Sequence, residues 1–144
     1  EFPCISIIKK NSELLIACCG LFDHVNDLNL QASQAVLYCN KMLEELENIN
    51  EELDQDIHLK IAINIGGPIL GKMLNSETPS FEILTPFFEF THKMIMEGES
   101  DLIQVGENVV KYLDNAKFEV NTGISLINRN GIDEQTFVIS NVCI

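Results

Sequence analysis

The sequence predicts an α+β fold, an antiparallel sheet covered by helices, and three observations carry that prediction. Residues 29–54 place apolar side chains at three- and four-residue steps, the period of an amphipathic helix. Residues 57–65 alternate instead, with Ile57, Leu59, Ile61, Ile63 and Ile65 set against His58, Lys60, Ala62 and Asn64. That is the period of a strand with one buried face. The last third of the chain breaks into short β-prone runs around the turn Asn128-Arg129-Asn130-Gly131.

Taken in order, residues 4–9 form an Ile-rich β-prone run, Asn11 and Ser12 read as a turn, and residues 14–19 read as a second strand stopped by Gly20. The pair reads as a hairpin. Residues 23–29 are polar and loop-like. In the helix that follows, Ala32, Ala35, Val36, Cys39, Leu43, Leu46, Ile49 and Leu53 make the apolar stripe. Its acidic tail (Glu44, Glu45, Glu47, Glu51, Glu52, Asp54, Asp56) falls mostly on the other faces and reads as a solvated end. Carboxylates there oppose the helix dipole, which predicts fraying; a metal or acidic-partner site is the alternative. Gly66-Gly67-Pro68 turns the alternating strand, residues 69–74 return, and residues 75–80 form a loop. Residues 81–84 are a short strand, and Pro86 opens a helix running to Gly98. Residues 102–105 read as a strand and 107–113 as a short helix; 118–120, 124–127 and 135–139 read as strands.

Composition bounds the function. The 144 residues suffice for one domain with a sizeable core, and 46% hydrophobic content argues against disorder. A net charge of -13 disfavours nucleic-acid and anionic-lipid binding. Any phosphate site needs a local basic patch or a metal. The five cysteines (Cys4, Cys18, Cys19, Cys39, Cys143) form no Cys-x-x-Cys pair and have apolar neighbours. They read as reduced core residues of a cytoplasmic protein or of the cytosolic part of a larger one. No run reaches the roughly 18 apolar residues of a membrane span. His24, His58 and His92 have no ligand-like spacing.

Several segments, in order and spacing, resemble the class III adenylyl/guanylyl cyclase catalytic domain, from about Ile5 to Ile139. The run from Ile8 to Leu21 resembles the family's hairpin and Gly-Leu strand. The run from Ile61 to Leu74 has the family's two glycines, Gly66 and Gly71, five residues apart, and Asn64 where many members carry histidine. Glycine there permits a sharp turn and close backbone approach. Where members read roughly Gly-Asn-Thr-Val-Asn-x-Ala-Ser-Arg, this chain reads Thr85-Pro86-Phe87-Phe88-Glu89-Phe90-Thr91-His92-Lys93. Where members carry a Lys-Gly-Lys-Gly turn, it reads Asn128-Arg129-Asn130-Gly131, followed by Thr136-Phe137-Val138.

The resemblance implies a ferredoxin-like antiparallel sheet with covering helices, of the class III nucleotidyl cyclase type. It also implies roles. Lys9 and Glu82 fall on purine-recognition positions and Glu13 on a metal-binding aspartate; Asn128 and Asn130 replace the turn's lysines, and Arg129 is the candidate to take over a phosphate contact. Glu89 replaces the ribose-orienting asparagine and Lys93 the arginine that steadies the transition-state phosphate. Glu89 sets negative charge where a polyphosphate lies, and Lys93 lacks the bidentate fork. The simpler reading of Glu89 and Lys93 is an i,i+4 ion pair, about 0.2–0.5 kcal/mol. The simpler reading of Lys9 and Glu13 is a pair of exposed hairpin-tip charges. Arg129 would point away from a phosphate if its backbone were strand-like. Phe81, Phe87, Phe88 and Phe90 suit core and interface better than nucleobase stacking. Phe87, Phe88 and Phe90 cannot all face one core, so at least one is expected in solvent or at an interface.

The family's opening strand, with its first metal aspartate, has no counterpart here. Residues 1–144 therefore read as a single cyclase-homology domain that is N-terminally incomplete, with open neighbours to that strand. The expected function is a degenerate cyclase-homology domain, inactive alone, serving dimerisation or regulation in cyclic-nucleotide signalling. Its expected partner is another cyclase domain, in a homo- or hetero-dimer. The alternatives are a partner-completed adenylyl cyclase converting ATP to cyclic AMP, or a sensor binding nucleotide without turnover. Either would call for Mg²⁺ or Mn²⁺ with the nucleotide.

Overall fold

The structure, a computed structural model, describes residues 2–21, 27–66, 70–74, 80–85 and 87–143. Strands β1 (Ile5–Lys10) and β2 (Leu15–Cys19) form the expected antiparallel hairpin. Asn11 builds its turn: the side-chain oxygen accepts from the backbone N–H of Glu13 at 2.9 Å and of Leu14 at 2.8 Å. Helix α1 (Leu28–Leu53) begins at Asp27, whose carboxylate accepts from the Leu30 N–H at 3.1 Å. This N-cap satisfies a donor that the first turn leaves free. Along the stripe Ala32 and Val36 are buried.

Strand β3 (Ile61–Ile63) is shorter than the alternating run that predicts it. Ahead of it the backbone bonds elsewhere. The Asn50 amide grips both backbone groups of Ile57, at 2.9 and 3.0 Å, and Leu59 pairs with Asp101. β4 (Leu70–Leu74) and β5 (Ser80–Leu84) pair as a separate antiparallel arm, and α2 (Phe87–Glu97) follows. Pro86 and the expected turn and loop at Gly67–Pro68 and 75–79 lie outside the described residues. β6 (Ile103–Gly106) leads into α3 (Glu107–Val110), which gives way to tight turns before reaching Leu113. Residues 118–127 form one strand, β7 (Phe118–Ile127), rather than two, because the irregularity near Gly123 interrupts the register with β8 (Asp133–Val142) without ending the pairing.

The main sheet has the order β3-β6-β8-β7. It is mixed rather than wholly antiparallel, since β3 and β6 run parallel. Parallel neighbours require a crossover, and the arm and α2 supply it. The core lies between α1 and this sheet: Ala32 and Val36 meet Ile61, Ile103, Val105 and Ile139. Among the described residues β2 pairs only with β1, and β3 only with β6. No described helix is long and apolar enough to cross a membrane.

Candidate functional site

Four stretches of chain meet around a cleft of about 580 Å³. The start of α2 contributes Phe87, Glu89, Phe90 and Lys93, and Asn64 stands just past β3. The β6–α3 junction contributes Gly106, Glu107 and Asn108; the β7–β8 turn contributes Ile127, Asn128, Arg129, Asn130 and Glu134. Two glycines let these stretches close up. A β-carbon on Gly66 would collide with the Phe87 ring, and one on Gly106 with the Asn64 side-chain oxygen. Gly66 thus performs the close approach that its position predicts.

Glu89 sits in the first turn of α2, where a carboxylate complements the helix dipole. The expected ion pair does not form: among the described residues no salt bridge joins Glu89 to Lys93. The Lys93 ammonium instead donates to the Ile127 carbonyl at 2.9 Å, tying α2 to the hairpin. A neutral acceptor at the right reach outcompetes an exposed carboxylate whose own charge is solvated.

Asn128 is spent on its own turn. Its oxygen accepts from the N–H groups of Asn130 at 2.9 Å and Ile132 at 3.1 Å, and its amide donates to the Glu134 carboxylate at 2.8 Å. Arg129 is exposed within that turn and lines the cleft, so strand alternation does not turn it away. The cleft therefore holds two cations, Lys93 and Arg129, against three carboxylates, Glu89, Glu107 and Glu134. Phe87, Phe90 and Ile127 give it apolar wall.

Three of the candidates named from sequence, Glu89, Lys93 and Arg129, thus share one cleft. Lys9 and Glu13 do not: both are exposed on the β1–β2 hairpin and neither lines it. The side chain of Glu82 lies outside what the structure describes; its backbone is opposite Lys72 in the arm. Glu107, Asn108 and Glu134 were not singled out from sequence. Glu134 stands opposite Leu126 in the hairpin, one pair in from the turn. Glu107 and Asn108 carry no periodic or spacing signal.

Among the described residues, Glu13 included, no group of three or more His, Cys, Asp or Glu is placed to hold an ion, so these residues do not fit a metal. Four cysteines are buried or half-buried and one, Cys143, is exposed past the end of β8, against the expectation that all are core. None of the five is in a disulfide. Burial pushes the Cys19 thiol up to about 11 and Cys39 up to about 12, which makes both poor nucleophiles.

A second polar cluster lies away from the cleft. His58 Nδ1 is 2.6 Å from Asp101 and Nε2 is 3.2 Å from Asp56. The hydrogen bond to Asp101, followed by the fields of Asp101 and Asp56, raises the histidine pKa. The Leu59 N–H, and after it His58, holds the Asp101 carboxyl below its ordinary value.

Residues 7–141 match the Adenylate and Guanylate cyclase catalytic domain, and the chain belongs to that family. A search of curated protein sequences finds no significant match. Among solved structures the chain is similar to the guanylate cyclase domain of RhGC from Catenaria anguillulae in complex with GTP. That match has a TM-score of 0.80 at 14% identity, covering 96% of this chain and 73% of the other. It is similar too to the non-canonical dimeric guanylyl cyclase domain of the RhoGC fusion protein from the aquatic fungus Blastocladiella emersonii. There the TM-score is 0.78 at 16% identity, over 96% and 72% of the two chains. The catalytic core of a rhodopsin-guanylyl cyclase with converted specificity, in complex with ATPalphaS, gives 0.76 at 14% identity, over 94% and 71%. At such identities the likeness establishes the fold alone.

Proposed function

We propose that this chain is a degenerate cyclase-homology domain, inactive alone, that acts as a dimerisation or regulatory module in cyclic-nucleotide signalling. The observation that carries the reading is the charge arrangement of the cleft. Three carboxylates line it, and one of its two cations already gives a donor to a backbone carbonyl. Phosphoryl transfer depends on cations and hydrogen-bond donors aimed at developing phosphate charge. Here the turn asparagine is used internally and Glu89 adds repulsion. A dimer with another cyclase domain, of this chain or a different one, is consistent with the dimeric fungal relative. A cytoplasmic setting is consistent with five cysteines that form no disulfide.

The test is calorimetric titration of ATP and GTP, each with Mn²⁺, into the purified domain. The reading expects no saturable heat for either. Saturable ATP binding without product would favour the nucleotide sensor. That second reading has one observation behind it: Lys93 and Arg129 do face a common cleft with an apolar wall. Cyclic AMP formed only after adding a second cyclase domain would favour the partner-completed enzyme.

A further inference from the structure

Of the asparagines in this chain, Asn130 alone is followed directly by glycine. That step lies at the tip of the β7–β8 turn. Asn130 and Gly131 are both exposed there, and a β-carbon on Gly131 would meet nothing within 4 Å. Asparagine is a labile residue, because the backbone nitrogen that follows it can attack its side-chain carbonyl carbon. A glycine supplies that nitrogen with no side chain to hinder the approach.

Hydrogen bonds set Asn130 apart from other asparagines. Asn11 and Asn128 each hold two backbone N–H groups on the side-chain oxygen. Asn50 grips Ile57 through both ends of its amide, and Asn121 donates to Ser140 at 2.7 Å. Among the described residues no hydrogen bond holds the Asn130 side chain. Its restraint lies in the backbone, where the Asn130 N–H donates to Asn128 Oδ1 at 2.9 Å and the Gly131 N–H to the Asn128 carbonyl at 3.0 Å. The second bond occupies the nitrogen that reacts. The reaction therefore waits on the opening of one turn at an exposed loop tip, where local opening costs least.

We infer that Asn130 is a site of spontaneous covalent modification that changes the charge of the cleft with time. The Gly131 nitrogen gives its proton to solvent and bonds to Cγ of Asn130. The Cγ–Nδ2 bond breaks, and Nδ2 takes a proton from solvent and leaves as ammonia, which closes a cyclic imide. Water then opens the ring. Cleavage of the new bond to Cγ leaves aspartate; cleavage at the Asn130 backbone carbonyl carbon leaves isoaspartate, with the chain running through the side chain. One water is consumed and one ammonia released, and nothing is oxidised or reduced. Asn130 lines the cleft, so either product adds a carboxylate to the three already set against Lys93 and Arg129. Isoaspartate also lengthens the backbone of the hairpin that Lys93 ties to α2. Neither consequence depends on what the cleft binds.

Mass spectrometry of the full chain, kept folded at neutral pH and physiological temperature, tests it. Peptide mapping should show a gain of about 1 Da on the peptide that carries Asn130, rising to about 3 Da in heavy-oxygen water. Enzymatic methylation specific for isoaspartate should label the same peptide. Asn130→Gln, whose longer side chain closes the ring poorly, should abolish both signals there and leave circular dichroism that of the wild type. Asn128→Ala, which removes two bonds of the turn, should speed the gain severalfold. No gain at Asn130 after weeks, a methylation signal undiminished in Asn130→Gln, or conversion of Asn11 or Asn121 as fast as Asn130 would overturn the proposal.

Discussion

Asn128 shows how a single residue can trade one role for another. Two backbone N–H groups and the Glu134 carboxylate consume its side chain, so the turn keeps its shape without the lysine that the family resemblance places there. Asn128→Lys should therefore cost about 1 kcal/mol of stability through the lost turn bonds, read from denaturant midpoints, and should not create nucleotide affinity. An undiminished midpoint would show that the turn does not need the asparagine. The thiols give a second test at this scale. With Cys19 and Cys39 pushed to about 11 and 12, a thiol reagent at neutral pH should modify Cys143 first and leave those two unmodified until denaturation. Rapid labelling of Cys39 in the folded chain would contradict the burial that raises it. The residue scale is also where the sequence was least legible. Lys93 carried its charge in plain view, but its partner, the Ile127 carbonyl, is a backbone group 34 residues away that no side-chain pattern encodes.

Among elements, α2 depends on Gly66 as much as on its own residues. Because a β-carbon would meet the Phe87 ring, Gly66→Ala should destabilise the chain by about 1–3 kcal/mol, and Phe87→Ala should relieve much of that in the double variant. Strict additivity of the two losses would argue against the contact. One residue further along α2, Phe88 is 42% exposed and stacks on His92, with ring centroids 6.3 Å apart. That meets the expectation that one of the three phenylalanines leaves the core. Phe88→Asp should weaken self-association in sedimentation while leaving the melting temperature in place, and unchanged sedimentation would remove α2 from the dimer surface.

The lead into β3 is clamped to the turn before β6 by His58 and Asp101. Since the His58 pKa is raised on folding, its contribution is fully present below the ordinary value of 6.5 and fades as pH rises through the raised one. Asp101 is lowered, so its contribution is present above the ordinary 3.8 and lost as pH falls through the depressed value. The clamp is thus strongest between those limits. His58→Asn should flatten the fall in melting temperature as pH rises above the ordinary histidine value of 6.5. An identical slope in the variant would place the titration elsewhere. Alternation suggested a strand from residue 57, but these side-chain clamps take the backbone bonds and ladder pairing starts only at Ile61.

For the whole molecule, the α+β class, the long helix, both hairpin turns and most strands followed from periodicity and from Asn and Gly at turns. The mixed sheet did not, because parallel pairing of β3 with β6 is decided by a crossover, which no local pattern specifies. The cleft was legible in part: Glu89, Lys93 and Arg129 were marked by family position, whereas Glu107 and Asn108 arrive through the fold. The charge that surrounds it is global, 22 acidic residues against 9 basic, and it works against any polyanionic ligand. Product formation from the unaccompanied chain is the most direct test of the central claim. With ATP or GTP and Mn²⁺ the account predicts no cyclic nucleotide above the protein-free control; cyclic AMP or cyclic GMP rising in proportion to protein concentration would contradict it.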